Sequence, residues 1–167
     1  MEKKVNIIMA PHADDELIGC FTLLDQGTVH MVLVAGEKVR KEMYACADHY
    51  NFQIKLVDER NVYNFAVYAR ELGGNIYFPD PIYEWHPEHR FWGTQGEKVM
   101  RGGQDNVCFY SVQMAAPYIR ESLDPDKKRQ KLDVLYMQKK DLWKYDHKYF
   151  LFEGQYKWLT HRNLCQD

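Results

Sequence analysis

The sequence predicts an α/β fold, a mostly parallel sheet of about five strands with helices on both faces. Two observations carry that prediction. Short apolar runs recur along the first half of the chain, and stretches with helical spacing separate them. The first run, Val5-Asn6-Ile7-Ile8-Met9-Ala10, stops at Pro11, which has no N–H to give to a sheet ladder. Leu17, Ile18, Cys20, Phe21, Leu23 and Leu24 follow at helical spacing. Repeated strand-then-helix order of this kind is the pattern of a Rossmann-like sheet.

The elements then follow in order. Gln26-Gly27 closes a helix over 17–26, and Val29 to Ala35 reads as the second strand, ended by Gly36-Glu37. A helix is expected from Lys38 to Tyr50, a third strand from Gln53 to Asp58, and a helix from Val62 to Leu72. Gly73-Gly74 stops that helix, and Asn75 to Pro79 is the fourth strand. Between Arg90 and Asp105, Gly93, Gly96, Gly102 and Gly103 argue against a regular helix, and a loop near the mouth of a site is expected. Asn106 to Val112 reads as strand five. Asp124-Pro125 supplies a cap and a first helical position, with the helix running to Lys140. Its basic run, Lys127-Lys128-Arg129-Gln130-Lys131, reads as a solvated face. The aromatic-rich segment over 141–167 fits no period and is expected to pack on the core or over the cleft.

Composition narrows the class. The 167 residues are read as one domain, over 1–167, large enough to bury a core. With 22 basic against 24 acidic residues, no global field calls for nucleic acid or a membrane surface. Four scattered cysteines form no C-x-x-C pair, which argues against a zinc ribbon and a disulfide framework. No apolar stretch is long enough to span a bilayer. A reduced, cytoplasmic protein is the expectation.

Chemistry concentrates where the first strand gives way to its helix. His12, Asp14, Asp15 and Glu16 stand there together, at the carboxyl end of a strand. Acidic residues in a first helical turn are explained by the helix dipole alone. They are equally explained by a divalent cation, since imidazole plus carboxylate is a usual zinc ligand set. A second cluster, His86-Pro87-Glu88-His89, follows the fourth strand, and its two histidines, three apart, project to one side of a helix start. Two clusters trailing strands of one sheet can converge on one crevice, and together they supply three ligands for a catalytic zinc.

Ala10-Pro11-His12-Ala13-Asp14-Asp15-Glu16 with Gly19, followed by His86-Pro87-Glu88-His89, resembles the paired signatures of the PIG-L/LmbE-like zinc-dependent N-deacetylases. Those signatures read (A/P)-H-P-D-D-E-x-x-x-G and H-P-D-H. Ala13 stands where the family has proline, and Glu88 where it has aspartate. The resemblance is strong from Val5 to Gly19 and from Asp80 to His89, and thin beyond Arg90, although it implies a helix after the second motif where the glycines argue for a loop.

The resemblance implies an LmbE-like fold and a Zn2+ ion, or another divalent metal, held by His12, Asp15 and His89. It implies Asp14 as general base and His86, protonated, as the group that stabilises the oxyanion. Glu16 is implied to serve behind these groups. Glu37 is a candidate substrate contact, or equally a solvated turn residue. The implied reaction removes an N-acetyl or other N-acyl group from a small amino-sugar-type substrate such as an N-acetylglucosamine conjugate. A nucleotide-linked or other acylated amine is the alternative substrate, and a non-catalytic nucleotide- or sugar-binding module the alternative class. No G-x-G-x-x-G follows the first strand to cradle phosphates, which weakens the latter.

Overall fold

A computed structural model describes residues 4–112, 116–136 and 151–157. Its core is one six-stranded sheet, built from β1 (Val5–Ala10), β2 (Val29–Ala35), β3 (Gln53–Val57), β4 (Gly73–Pro79), β5 (Val107–Tyr110) and a late strand, Gln155–Lys157. The order is β3-β2-β1-β4-β5 and then the late strand, which is antiparallel to β5; all other pairings are parallel. The sheet is therefore α/β and Rossmann-like as expected, with one antiparallel strand added at an edge.

Alternation along β1 explains why both faces are covered. Ile8 and Ala10 point to a core shared with α1 (Asp15–Asp25), α2 (Lys41–Tyr50) and α5 (Pro125–Leu135). Ile7 and Met9 point to a second core, shared with α3 (Val62–Ala69) and α4 (Pro87–Arg101). Buried on both faces, the strand carries only apolar side chains from Ile7 to Ala10. A separate two-stranded ribbon pairs β6 (Arg120–Glu121) with β7 (Phe152–Glu153), and the late strand Gln155–Lys157 is β8.

Three expectations need correction. The segment from Arg90 onward is not a loop: α4 runs unbroken to Arg101. Its glycines are there for close approach. A Cβ on Gly93 would lie 2.5 Å from the carbonyl oxygen of Pro79, and one on Gly96 would lie 2.6 Å from the Phe78 ring. The helix can sit against the end of β4 only because those side chains are absent. Second, α2 begins at Lys41, because a short 3-10 turn over Gly36–Lys38 comes first. Third, Lys128 is not on a solvated face but fully buried.

The burial of Lys128 follows from a break in α1. Cys20 has φ −137° and ψ 27°, so the helical ladder fails there. Thr22 N–H, which would bond Ile18, donates instead to the Glu153 carboxylate at 3.1 and 3.2 Å. The Ile18 carbonyl accepts from Lys128 Nζ at 2.5 Å, and the Gly19 carbonyl accepts from the Gln155 side chain at 2.7 Å. The backbone groups released by the kink are thus satisfied by side chains from α5, β7 and β8.

No helix among the described residues is long and apolar enough to cross a membrane. The end of the long helix expected up to Lys140, and most of the aromatic segment over 141–167, lie outside the described residues; α5 ends at Leu135.

Candidate metal centre and active site

Strand order reverses between β1 and β4: from β1 the chain winds outward to β2 and β3, from β4 outward to β5. Crevices at such a switch point, beyond the carboxyl ends of the strands, are where α/β sheets bind ligands. Both sequence clusters leave the sheet there. His12, Asp14 and Asp15 follow β1, and the turn after β4 carries the chain to His86 and His89.

That turn is pinned by a buried carboxylate. Asp80 Oδ1 accepts from the backbone N–H of Ile82 at 2.6 Å and of Tyr83 at 2.9 Å, while Tyr118 donates to Oδ2 at 2.7 Å. His86 then caps α4, its Nδ1 accepting from Glu88 N–H at 3.3 Å, with Pro87 at the first helical position. One turn in, His89 faces inward and is buried.

The two chain segments meet side chain to side chain. His12 Nδ1 lies 3.1 Å from His89 Nε2. Asp15 Oδ2 lies 3.1 Å from His89 Nε2 and 3.5 Å from His12 Nδ1, and also accepts the His12 backbone N–H at 2.8 Å. Donors about 2.0–2.1 Å from a tetrahedral ion lie about 3.3–3.4 Å apart, so this triangle has the size of a zinc face. His86 stands farther out: one nitrogen from each of His12, His86 and His89 falls within 4.8 Å of the others.

The far side of each ring fixes where its proton sits. His89 Nδ1 is 2.9 Å from Glu84 Oε2, and His12 Nε2 is 2.5 Å from Glu88 Oε2. Carboxylates there keep the protons on those outer nitrogens. The inner nitrogens, His12 Nδ1 and His89 Nε2, then present lone pairs to each other and to Asp15 Oδ2. Three acceptors converging on one point repel unless a cation lies between them. The chemistry of the donor set therefore fits a divalent metal.

A cation-free site answers the same need with protons. Burial works against charge on His89, but the Asp15 and Glu84 carboxylates outweigh it and push its pKa up to about 10. Burial likewise opposes charge on His12, yet Asp15 and Glu88 raise its pKa overall. Burial would favour neutral Asp15, but His89 and His12 hold its carboxyl well below the usual range. His86 moves the other way, lowered by burial and by the positive charge of its two neighbours.

Asp14 immediately precedes Asp15, at the residue before α1. It is buried and its backbone sits at φ 123°, ψ −23°, a conformation that costs an L-residue of order 1–3 kcal/mol. Its N–H donates to Glu16 Oε2 at 3.0 Å. Glu16, fully buried, also accepts from the Tyr136 hydroxyl of the residue that ends α5. Burial raises the Glu16 pKa against the pull of those hydrogen bonds.

Two residues enter the site that motif reading passed over. Glu84 is buried and held by Ser111 Oγ and Val112 N–H, both at 2.7 Å, on the loop after β5. Its one sequence signal is an acidic residue shortly before the histidine pair. Lys38, and not the exposed Glu37 beside it, reaches the cluster, with Nζ 3.3 Å from Glu88 Oε1. Only the turn placed after β2 shows which of these neighbours points inward.

No protein-family model and no curated protein matches the chain. Solved structures do. A deacetylase triple mutant (Orf2*T) involved in a teicoplanin biosynthetic pathway superposes with a TM-score of 0.61 at 14% identity, over 87% of each chain. A phosphoribosylglycinamide formyltransferase from Anaplasma phagocytophilum gives a TM-score of 0.42 at 10% identity, over 78% of this chain and 58% of that one. At these identities what the first likeness shows is the architecture alone: this chain shares the α/β fold of that structure.

Proposed function

We propose that the protein is a metal-dependent N-deacetylase, with zinc held by His12, Asp15 and His89. The observation that carries this reading is the convergence of two imidazole lone pairs and a carboxylate oxygen, 3.1–3.5 Å apart, at the switch point of the sheet. The deacetylase architecture and the paired PIG-L/LmbE-like signatures support it.

A cation held by these three residues would supply Lewis acidity toward the amide carbonyl and the attacking water. Asp14 is adjacent to the ligand Asp15 in the chain, buried beside it, and we assign it the role of base. It takes the proton of the attacking water and delivers it to the departing amine. His86 accepts from Glu88 N–H through Nδ1, so its neutral ring carries the proton on Nε2. Through that Nε2 proton it serves as a donor to the developing oxyanion, where the resemblance implies an imidazolium. Glu84 and Glu88 fix the tautomers of His89 and His12, and Lys38 holds Glu88 in place.

A small amino-sugar-type substrate is the first choice; a nucleotide-linked sugar or another acylated amine is the second. Acetate release across a panel of N-acetylated sugars, nucleotide sugars and simple acylated amines, with and without chelator, tests the proposal. Chelator-sensitive release from one class supports it. No release from any member by zinc-loaded protein overturns it.

A further inference from the structure

The proposed base carries a strained backbone, and the Glu16 carboxylate that accepts its N–H is itself bonded by Tyr136, the residue that follows α5. Asp14 N–H donates to Glu16 Oε2, and Tyr136 donates its hydroxyl to Glu16 Oε1. Asp14, Glu16 and Tyr136 are all buried, so no water competes for these bonds in the fold. The Glu16 carboxylate is thus gripped from both ends. Asp14 and Tyr136 are more than a hundred residues apart in sequence, and α5 contributes no ligand-type side chain to the metal triangle.

We infer that Tyr136 is a positioning residue for the reaction, acting through Glu16 to hold Asp14 at the angle where it serves as base. This rests on the reading of Asp14 given above. Without the tyrosine hydroxyl, the Glu16 side chain has one fewer fixed point and its grip on Asp14 N–H slackens. Asp14 then relaxes toward an ordinary backbone conformation, and its carboxylate swings away from the attacking water. His12, Asp15 and His89 are held by other groups, so the cation site stays as it was. A small misplacement of a catalytic group is enough to cost rate without costing binding.

Tyr136→Phe keeps the buried ring and removes only the hydroxyl. Its kcat should fall about ten- to hundredfold, the value of one hydrogen bond to a charged group, with KM and zinc affinity at parental values. Glu16→Gln, which keeps an acceptor for Asp14 N–H, should lose less than Glu16→Ala. The double variant Asp14→Asn/Tyr136→Phe should be no slower than Asp14→Asn alone, because Tyr136 acts by positioning the base that this variant already lacks. A readout that needs no turnover accompanies these. In zinc-free protein, hydrogen exchange at the Asp14 amide should be at least about tenfold faster in Tyr136→Phe.

Parental kcat together with parental amide exchange in Tyr136→Phe overturns the inference. So does a loss of zinc affinity that matches the loss of rate, since Tyr136 would then serve the metal site. A parental rate in Asp14→Asn instead removes Asp14 as base and sinks the mechanistic reading; the amide exchange then decides alone whether Tyr136 holds this backbone.

Discussion

Lys128 Nζ sits 2.5 Å from the carbonyl oxygen of Ile18, at the point where α1 breaks its own ladder, and 3.6 Å from the Glu153 carboxylate that caps the freed Thr22 N–H. One buried ion pair thus repairs both sides of the kink in the helix that begins with Asp15. Removing the lysine strands a buried carboxylate. Lys128→Met should cost about 3–5 kcal/mol of stability, and adding Glu153→Gln should restore part of it. Urea unfolding of the three proteins checks this; a Lys128→Met chain as stable as the parent would show the pair to be dispensable.

The glycines of α4 make an opposite-to-propensity prediction. Alanine is ordinarily better than glycine inside a helix by about 1 kcal/mol. Here a Cβ at Gly93 meets the backbone of Pro79 and Pro81, and one at Gly96 meets Phe78. Gly93→Ala and Gly96→Ala should therefore lower stability by about 1–3 kcal/mol. Thermal melts that rise in either variant would mean α4 stands farther from β4 than described.

These cases show where the sequence is legible. The β1 run, Pro11 and the acidic first turn of α1 announce a strand, its end and a site, because each signal is local. So does Pro87 after His86, at the start of α4. Lys128 is not legible, because its partners Ile18 and Glu153 come from segments 110 and 25 residues away. Gly93 and Gly96 mislead for the same reason: a glycine that permits close contact and one that loosens a loop look alike until β4 is in place. Glu84 and Tyr136 belong to the site only through the fold. Lys38 became distinguishable from Glu37 only when the 3-10 turn set its direction.

Zinc binding should grow stronger with pH. The His89 pKa is raised from 6.5 to about 10 in the cation-free fold, so its proton stabilises that fold fully below about pH 6.5. That contribution is lost as pH climbs through about 10. The ion and the proton compete for the same ring nitrogen. The increase in melting temperature on adding zinc to stripped protein should thus be larger at about pH 8.5 than at about pH 6.5. Thiols and phenols that titrate at high pH do so in both samples and cancel. An increase that is equal at the two pH values, or larger at the lower one, would remove His89 as a ligand.

Asp14→Asn separates chemistry from binding. It keeps nearly the same shape and leaves His12, Asp15 and His89 untouched, so zinc content and melting temperature should match the parent. Deacetylation should fall by about a hundred- to ten-thousandfold, the usual contribution of a positioned general base. Loss of zinc from this variant would make Asp14 a ligand and reopen the role of Asp15.

The assignment of the metal site is tested most directly by zinc titration of stripped protein, comparing the parent with His12→Ala, Asp15→Ala, His89→Ala and His86→Ala. Two donor sets are close enough to hold an ion: the triangle of His12, Asp15 and His89, and the wider group of three histidines. The account predicts about one zinc per chain in the parent and near-parental affinity in His86→Ala. His12→Ala, Asp15→Ala and His89→Ala should each bind at least about tenfold more weakly. Parental affinity in Asp15→Ala with loss in His86→Ala would contradict it and hand the metal to the three histidines.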